Sequence, residues 1–344
     1  MKKAYIILLA LAGQAVFASA QDNKTPYLTK SLTNDGIKKV YVNTSGGSIS
    51  VSGASGQQSR IEMYVTGNNG TTPSNDEIKR RLSEDYIVDI NVSGGELHAS
   101  AKRKHDGSWD WRRQLNIAFK VYVAQNTATN LGTSGGSIHL DNLSGEERFE
   151  TSGGSLHVDH LTGHIYGRTS GGSMWIQDSK DNIDMETSGG SVHASDCSGT
   201  IKLGTSGGSL NLENLDGRVN AETSGGSIHG HNIKGDLRTG TSGGSIDLSG
   251  LSGSLDTYTS GGSIHVQMAS VTKSVKIDAS GGHVDLQLPS KQGFNLNLHA
   301  DKVTADFSGN FDGTKEKDRV EGKLNGGGPN IDVNGSNRVN LSLN

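Results

Sequence analysis

The chain has 344 residues and a nearly balanced charge, with 32 Lys and Arg against 36 Asp and Glu. Only 32% of the residues are hydrophobic and 5% are aromatic, whereas 49 are Gly, so the apolar volume is too small for one thick globular core. The mixed charge argues against a dedicated nucleic-acid partner.

Residues 1–20 have the pattern of a secretory signal peptide. Lys2 and Lys3 precede an apolar run, and Ala-Ser-Ala at residues 18–20 is typical of a cleavage site before Gln21. We therefore expect an exported protein that is located in the periplasm, at the cell surface or outside the cell. No later apolar stretch is long enough to span a bilayer, so no transmembrane segment is expected after signal removal.

Residues 21–130 predict irregular N-terminal coils with one helical insertion. The helix is predicted at SNDEIKRRLSEDY, residues 74–86, where Ser74 and Glu77 can form a capping box. Three apolar residues with helical spacing form one face of it: Ile78, Leu82 and Tyr86. A stack of parallel strands needs covered ends, so we interpret this helix as an N-terminal cap.

The stretch KRKHDGSWDWRRQ, residues 102–114, is the least repetitive exposed part of the chain. Four of its side chains could bind a surface glycan or a lipid headgroup through ring stacking and charge: Trp109, Trp111, Arg112 and Arg113. Alternatively, the two Trp pack against the solenoid or the cap while the basic residues stay solvated, and this alternative is favoured. The four residues are still the best local candidate for a binding site.

Residues 131–282 contain a regular tandem repeat. Thr-Ser-Gly-Gly recurs eight times at a fixed interval of 18 residues, beginning at Thr133, Thr151, Thr169, Thr187, Thr205, Thr223, Thr241 and Thr259. Such self-similarity is typical of a solenoid, in which each repeat forms one coil. Positions within the repeat are numbered below from this Thr as position one.

Apolar residues alternate with polar ones around positions six and eight and again around fifteen and seventeen. This period of two predicts two short strands per coil, and Gly at the two corners permits a sharp bend or a positive φ. Coils stacked roughly 4.8 Å apart predict an all-β, right-handed parallel β-solenoid of 18-residue coils. Cys197 occupies a position that is mostly Leu in other repeats, so it is interpreted as a small core residue.

Position seven should point outward and places several His side chains in one column. His139 and His157 would be close enough to share a transition metal, but a solvated, weakly stacked ladder is favoured, so neither a metal nor another cofactor is expected. Calcium is excluded because apolar residues hold the place of the Asp ligand in calcium-binding nonapeptide repeats: Leu140, Val158 and Ile176.

The repeats show no insertion that would build a pocket. Their turns are uniformly short, and their acidic residues are scattered over positions nine, sixteen and eighteen. Lyases and hydrolases built on β-helices instead cluster carboxylates or basic residues in a groove. We therefore expect no catalytic residues and no enzymatic activity.

Residues 283–344 predict irregular C-terminal coils and a cap. FNLNLHADKVTADF and NIDVNGSNRVNLSLN alternate polar and apolar residues as strands do, and a polar loop at residues 309–318 lies between them. The chain thus divides into a signal peptide, an irregular N-terminal part, a regular repeat array and a C-terminal part.

A characteristic order of motifs runs along the chain after residue 20. VNTSGGSISVSG is followed by the helical insertion, VSGGELHASAKRK, AFKVYV, the tandem TSGGSI coils and LNGGGPNIDVNGS. This order resembles a bacterial putative-adhesin domain of unknown function, a TSGGSI-repeat β-solenoid family of the cell envelope. It is also similar to the head domains of putative autotransporter adhesins. The resemblance implies a β-solenoid with an adhesin-like role.

The favoured function is that of a non-catalytic exported scaffold, in the cell envelope or secreted, which binds surface glycans or other envelope components. One alternative is an inert structural rod of the envelope. An ice-binding flat face is less favoured because the Thr of each repeat continues the inward series of positions fifteen and seventeen. A carbohydrate-active β-helix is disfavoured by the uniform turns.

Overall fold

The structure, a computed structural model, describes residues 25–53, 58–68, 73–104, 113–307 and 309–344. The predicted signal peptide and most of the Trp-containing stretch lie outside these residues. The described part contains one α-helix and 29 strands, most of which pair in parallel from coil to coil. The predicted all-β class and the parallel β-solenoid with one N-terminal helix are confirmed.

The N-terminal part forms the first, irregular coils. Its elements are β1 (Leu28–Ser31), β2 (Lys39–Thr44), β3 (Ile49–Gly53), β4 (Arg60–Gly67), α1 (Asn75–Asp85), β5 (Tyr86–Ser93), β6 (Glu96–Arg103), β7 (Leu115–Val123), β8 (Ala128–Thr133) and the first short repeat strand β9 (Ile138–Asp141). The β2–β3 coil lies between β6–β7 on one side and β8–β9 on the other, in parallel with both. Antiparallel β5, β4 and β1 complete this end.

At the start of α1, one of the two hydrogen bonds of the predicted capping box is present. The Oγ atom of Ser74 accepts a hydrogen bond from the backbone N–H of Glu77 at 3.3 Å. The Glu77 carboxylate instead pairs with Arg80 and Arg81, at 2.8 and 2.5 Å. Charge pairing within the first turns therefore replaces the reciprocal bond of the box.

The helix packs against β5 and β7 through the fully buried side chain of Ile78, so it covers the N-terminal end as predicted. It ends at Asp85 because Tyr86 is already extended. The buried Tyr86 hydroxyl both donates to and accepts from the backbone of Leu115. Among the described residues, no helix has the length and apolar content needed to cross a membrane.

Each regular coil contains one strand of four residues and one of eight. The further four-residue strands are β11 (Leu156–Asp159), β13 (Met174–Gln177), β15 (Val192–Ser195), β17 (Leu210–Glu213) and β19 (Ile228–His231). The eight-residue strands are β10 (Ser144–Thr151), β12 (Thr162–Thr169), β14 (Lys180–Thr187), β16 (Ser198–Thr205), β18 (Asp216–Thr223) and β20 (Lys234–Thr241). Each strand pairs in parallel with its counterpart one coil away, so equal repeat positions lie side by side.

The C-terminal part, like the N-terminal part, contains a coil that lies between two others out of chain order. The remaining strands, of which β21 and β22 still belong to the regular array, are β21 (Ile246–Thr259), β22 (Ile264–Ala279), β23 (His283–Leu288), β24 (Phe294–His299), β25 (Lys302–Ala305), β26 (Phe311–Lys315), β27 (Arg319–Leu324), β28 (Asn330–Gly335) and β29 (Arg338–Leu343). The β28–β29 coil lies between β22–β23 and β24–β25. Antiparallel β27 and β26 follow β24, so the predicted polar loop contains a strand.

The repeat Thr side chains are buried and join successive coils. The Oγ1 atom of Thr187 donates to the carbonyl oxygen of Gly172 at 2.8 Å and accepts from the N–H of Gly190 at 3.3 Å. The same two bonds recur in the neighbouring repeats. This row therefore aligns the coils, and its hydroxyl groups are used inside the solenoid.

Position fifteen of the first repeat is Glu147, where the next six repeats have Ile, Val or Leu. Its side chain is fully buried between Thr129 and Ile165 of the neighbouring strands. The Thr129 hydroxyl donates to Oε2, whereas Oε1 has no partner among the described residues. Burial raises the pKa of Glu147 to about 7, and the negative charge of Glu146 acts in the same direction.

Because this carboxyl is buried, we expect the protein to lose stability as the pH rises from mildly acidic to mildly alkaline. The unfolded Glu147 ionises near its ordinary pKa of 4.5, whereas the folded one stays protonated up to about 7. Its contribution to stability is therefore complete below pH 4.5 and is lost as the pH rises through 7. This loss lowers the free energy of unfolding by about 2–3 kcal/mol.

Urea denaturation of wild type, Glu147→Ile and Glu146→Gln at pH 5 and pH 8 measures this contribution. We expect Glu147→Ile to lose the dependence and the exposed Glu146→Gln variant to keep it. Equal pH dependence in wild type and Glu147→Ile would show that the carboxyl is not held in the core.

Candidate functional site

Four aromatic side chains form an exposed column along the four-residue strands. They occupy position seven of successive repeats, and their ring centroids are 4.5, 4.6 and 5.5 Å apart with interplanar angles of 3–6°: His139, His157, Trp175 and His193. Parallel pairing of β9, β11, β13 and β15 fixes this order, since it places position seven beside position seven. The predicted outward column is confirmed, and its members stack closely.

Stacking determines which parts of the rings a ligand can reach. The ring faces cover one another, so the column presents mainly ring edges, and Trp175 remains 40% exposed. The Nδ1 atom of His157 is buried and has no partner among the described residues. The imidazole lone pairs lie in nearly parallel planes and do not converge, which disfavours one ion shared by His139 and His157. Burial lowers the pKa of both His139 and His157. Burial therefore favours the uncharged, hydrogen-bonding form of these two rings.

Carboxylates flank one end of this column. Asp141 and Asp159 occupy position nine of adjacent strands, and burial together with the Asp159 charge raises the pKa of Asp141. The Nδ1 atom of His160 lies 2.8 Å from Asp159 Oδ1, and this hydrogen bond raises the pKa of His160. The three side chains place their ligand atoms within 4.8 Å of one another.

His160 belongs to a corner row in which the backbone adopts the left-handed conformation. Its members, with φ between 47° and 56°, are Asn142, His160, Asp178, Asp196, Asn214 and Asn232. Asn and Asp tolerate this conformation better than most residues. From the sequence, such backbone freedom was expected at Gly alone. The signal that could have found this corner is the run of Asn, Asp and His at position ten.

The long strands present a different, charged face. Tyr166 lies between two guanidinium groups, with Arg148 at 4.6 Å and Arg168 at 4.1 Å from its ring centroid. Arg168 also pairs with Asp184 at 2.9 Å and Glu186 at 3.4 Å. Because opposite charges alternate and pair, this face offers a ligand less unsatisfied hydrogen-bonding capacity than the aromatic column.

The structure describes one of the four residues predicted for the Trp-containing site. Arg113 pairs through one nitrogen with Glu84 at 2.6 Å and Asp85 at 3.1 Å, at the end of α1. Trp109, Trp111 and Arg112 lie outside the described residues. Ligand binding by this stretch remains a prediction, and Arg113 has in addition a structural contact with the cap.

Comparison with solved structures matches bacterial proteins at low sequence identity. A putative cell adhesion protein from Clostridium sporogenes is 12% identical over 92% of this chain and 98% of its own, with a TM-score of 0.20. A putative adhesin from Bacteroides fragilis is 14% identical over 75% and 96%, with a TM-score of 0.30. One from Parabacteroides merdae is 15% identical over 75% and 95%, with a TM-score of 0.39.

No curated protein shows significant similarity to the chain. The Toastrack DUF4097 family model matches residues 177–337, which comprise the later regular coils and most of the C-terminal part. The resemblance inferred from the order of motifs is thereby confirmed, and residues 177–337 are similar to the Toastrack DUF4097 family.

Proposed function

We propose that the protein is a non-catalytic exported scaffold that binds hydroxyl-rich surface polymers, such as glycans, along its aromatic column. The observation that carries this proposal is the exposed row of ring edges from His139 to His193, held in register by parallel strands. Such a row presents hydrogen-bonding groups at a repeat near 5 Å, on a surface that needs no ordering before it binds.

The rigidity of the scaffold supports binding by a preformed face. Every ring of the column is anchored on a strand whose inward neighbours are core residues, as Met174 and Ile176 are for Trp175. Asp141 and Asp159 add acceptors for hydroxyl groups beside the rings. An open groove beside positions seven and nine extends this surface from His193 toward Ser249. Open, repetitive walls suit an extended polymer better than a small substrate that must be enclosed.

The test is binding of the purified protein to a glycan array and to whole bacterial cells. Trp175→Asn should weaken binding about 10-fold or more, because it removes the widest edge and interrupts the stack, while Asn already occupies this position at Asn211. The matched control is Tyr258→Asn, which removes an exposed aromatic residue from the long-strand face.

A third variant without residues 105–112 distinguishes the column from the predicted Trp-containing site. Loss of binding in this variant alone would assign recognition to Trp109 and Trp111 and contradict the proposal for the column. Wild-type protein that binds neither glycans nor cells would support the inert structural rod instead.

A further inference from the structure

The coil that contains β23 departs from the repeat at position five. Position five is Ser in all eight regular repeats. In several coils the Ser hydroxyl accepts a hydrogen bond from the backbone N–H of the Ser one coil further on, as Ser245 does from Ser263 at 3.3 Å. In the following coil the residue is His283. An imidazole thus replaces a small hydroxyl at a place where the backbone register is unchanged.

This substitution brings three metal-binding side chains together. His283 and Asp285 project from the same side of β23, and His265 lies directly opposite Asp285 on β22. The Oδ2 atom of Asp285 is 2.9 Å from His265 Nδ1 and 3.4 Å from His283 Nε2. All three ligand atoms lie within 4.8 Å of one another, and the side chains are between 40% and 47% exposed. The cluster is therefore open to solvent on one side.

Two of these side chains are already oriented through their other polar atom. The Nδ1 atom of His283 is hydrogen-bonded to Ser263 Oγ at 2.9 Å, which leaves Nε2 directed at the cluster. The Asn340 amide on β29 donates to Asp285 Oδ1 at 2.7 Å, which leaves Oδ2 directed at the two imidazoles. Hydrogen bonds of this kind, from the non-ligating atom to an outer partner, orient His and carboxylate ligands in metal sites.

We propose that His265, His283 and Asp285 bind one divalent transition-metal ion of the Zn²⁺ type. Two imidazoles and one carboxylate suit Zn²⁺, Ni²⁺ or Co²⁺, whereas Ca²⁺ and Mg²⁺ prefer oxygen ligands. Three protein ligands on adjacent strands leave at least one coordination position for water or for a donor from a partner surface. Small side-chain rotations would bring the ligand atoms to the bond lengths of about 2.0–2.2 Å that Zn²⁺ requires.

The Asp141, Asp159 and His160 cluster provides an internal comparison. It has one imidazole and two carboxylates where the proposed site has two imidazoles and one carboxylate. Two imidazole ligands favour borderline metals over the harder ions that carboxylates bind. A metal titration of this chain should therefore distinguish the two clusters by mutation.

The experiment is isothermal titration of the full chain with Zn²⁺ alone, followed by Co²⁺ and its visible absorption spectrum. The informative variant is His283→Ser, since it restores the residue of the eight regular coils and should fold like wild type. We expect one Zn²⁺ site in wild type and at least 10-fold weaker binding in His283→Ser and Asp285→Asn. Ser263→Ala should weaken binding between about 10- and 100-fold.

His160→Asn is the matched control and should retain the wild-type affinity and Co²⁺ spectrum. Thermal melting without metal shows whether each variant folds, and added Zn²⁺ should raise the melting temperature of wild type but not of His283→Ser. Equal Zn²⁺ affinity in wild type and His283→Ser would overturn the proposal. So would the loss of the site in His160→Asn, or no Zn²⁺ binding by wild type.

Discussion

Ile201→Asp should lower the free energy of unfolding by about 4 kcal/mol, the largest effect expected for a single substitution in the regular array. Ile201 is 1% exposed on β16, and its neighbours in the adjacent coils are Ile183 and Val219, both also buried. A carboxylate at this place would lose its hydration and gain no partner from the apolar residues above and below it.

Chemical denaturation of Ile201→Asp and Thr200→Asp measures this effect. Thr200 is the exposed neighbour on the same strand and lies beside Arg218 of the next coil, so its replacement should change stability by less than about 0.5 kcal/mol. Similar denaturation midpoints for the two variants would mean that the inward and outward faces of β16 are assigned the wrong way round.

The regular coils could be predicted from the sequence because a fixed period carries information that a single strand does not. At Ile183, Ile201 and Val219 the same type of residue recurs after 18 residues, which sets both the register and the inward face. A shift of the strand register by one residue would place all of these side chains in solvent. Cys197 is buried as predicted, and burial raises the pKa of its thiol to about 11.

The two ends could not be predicted to the same depth. The β2–β3 coil lies between strands that follow it in the chain, and the β28–β29 coil lies between strands that precede it. Such out-of-order pairing leaves no local pattern, since each strand alternates equally well beside either neighbour. The sequence therefore indicated the strands of both ends without their order in space.

The candidate sites could also be predicted only in part from the sequence. The outward column at His139, His157, Trp175 and His193 follows from strand parity, whereas its close stacking depends on side-chain rotamers that a pattern does not determine. His283 was missed because the Ala-Ser-Gly-Gly run before it is an imperfect relative of the repeat. Reading the repeats column by column exposes His at a position that is otherwise Ser.

The two glycines of each Thr-Ser-Gly-Gly corner differ in what they allow. From the sequence, both were expected to permit a sharp bend or a positive φ, yet neither Gly207 nor Gly208 has a positive φ. A Cβ atom on Gly208 would lie 2.1 Å from the carbonyl oxygen of Gly190 and 2.4 Å from its carbonyl carbon. A Cβ atom on Gly207 would meet nothing closer than 3.6 Å. Close approach of neighbouring coils, not backbone conformation, therefore requires Gly at position four.

This difference predicts opposite outcomes for two adjacent substitutions. Gly208→Ala should destabilise the protein by more than about 3 kcal/mol, because the obstructing atoms belong to the backbone and cannot rotate away. Any shift would also disturb the bond from Thr205 Oγ1 to Gly190 O and the bond that Thr223 donates to Gly208 O. Gly207→Ala should be neutral or stabilise by up to about 1 kcal/mol, since Ala restricts the unfolded chain and fits the folded one.

Thermal and urea denaturation of the two Ala variants beside wild type compares them directly. Both variants add one methyl group to the same turn, so composition and intrinsic propensity are matched and only the distance to the preceding coil differs. Equal destabilisation by the two would attribute the effect to the turn conformation. A large loss confined to Gly208→Ala would instead establish that the spacing between coils, repeated at every position-four Gly, sets the limit on side-chain size at this corner.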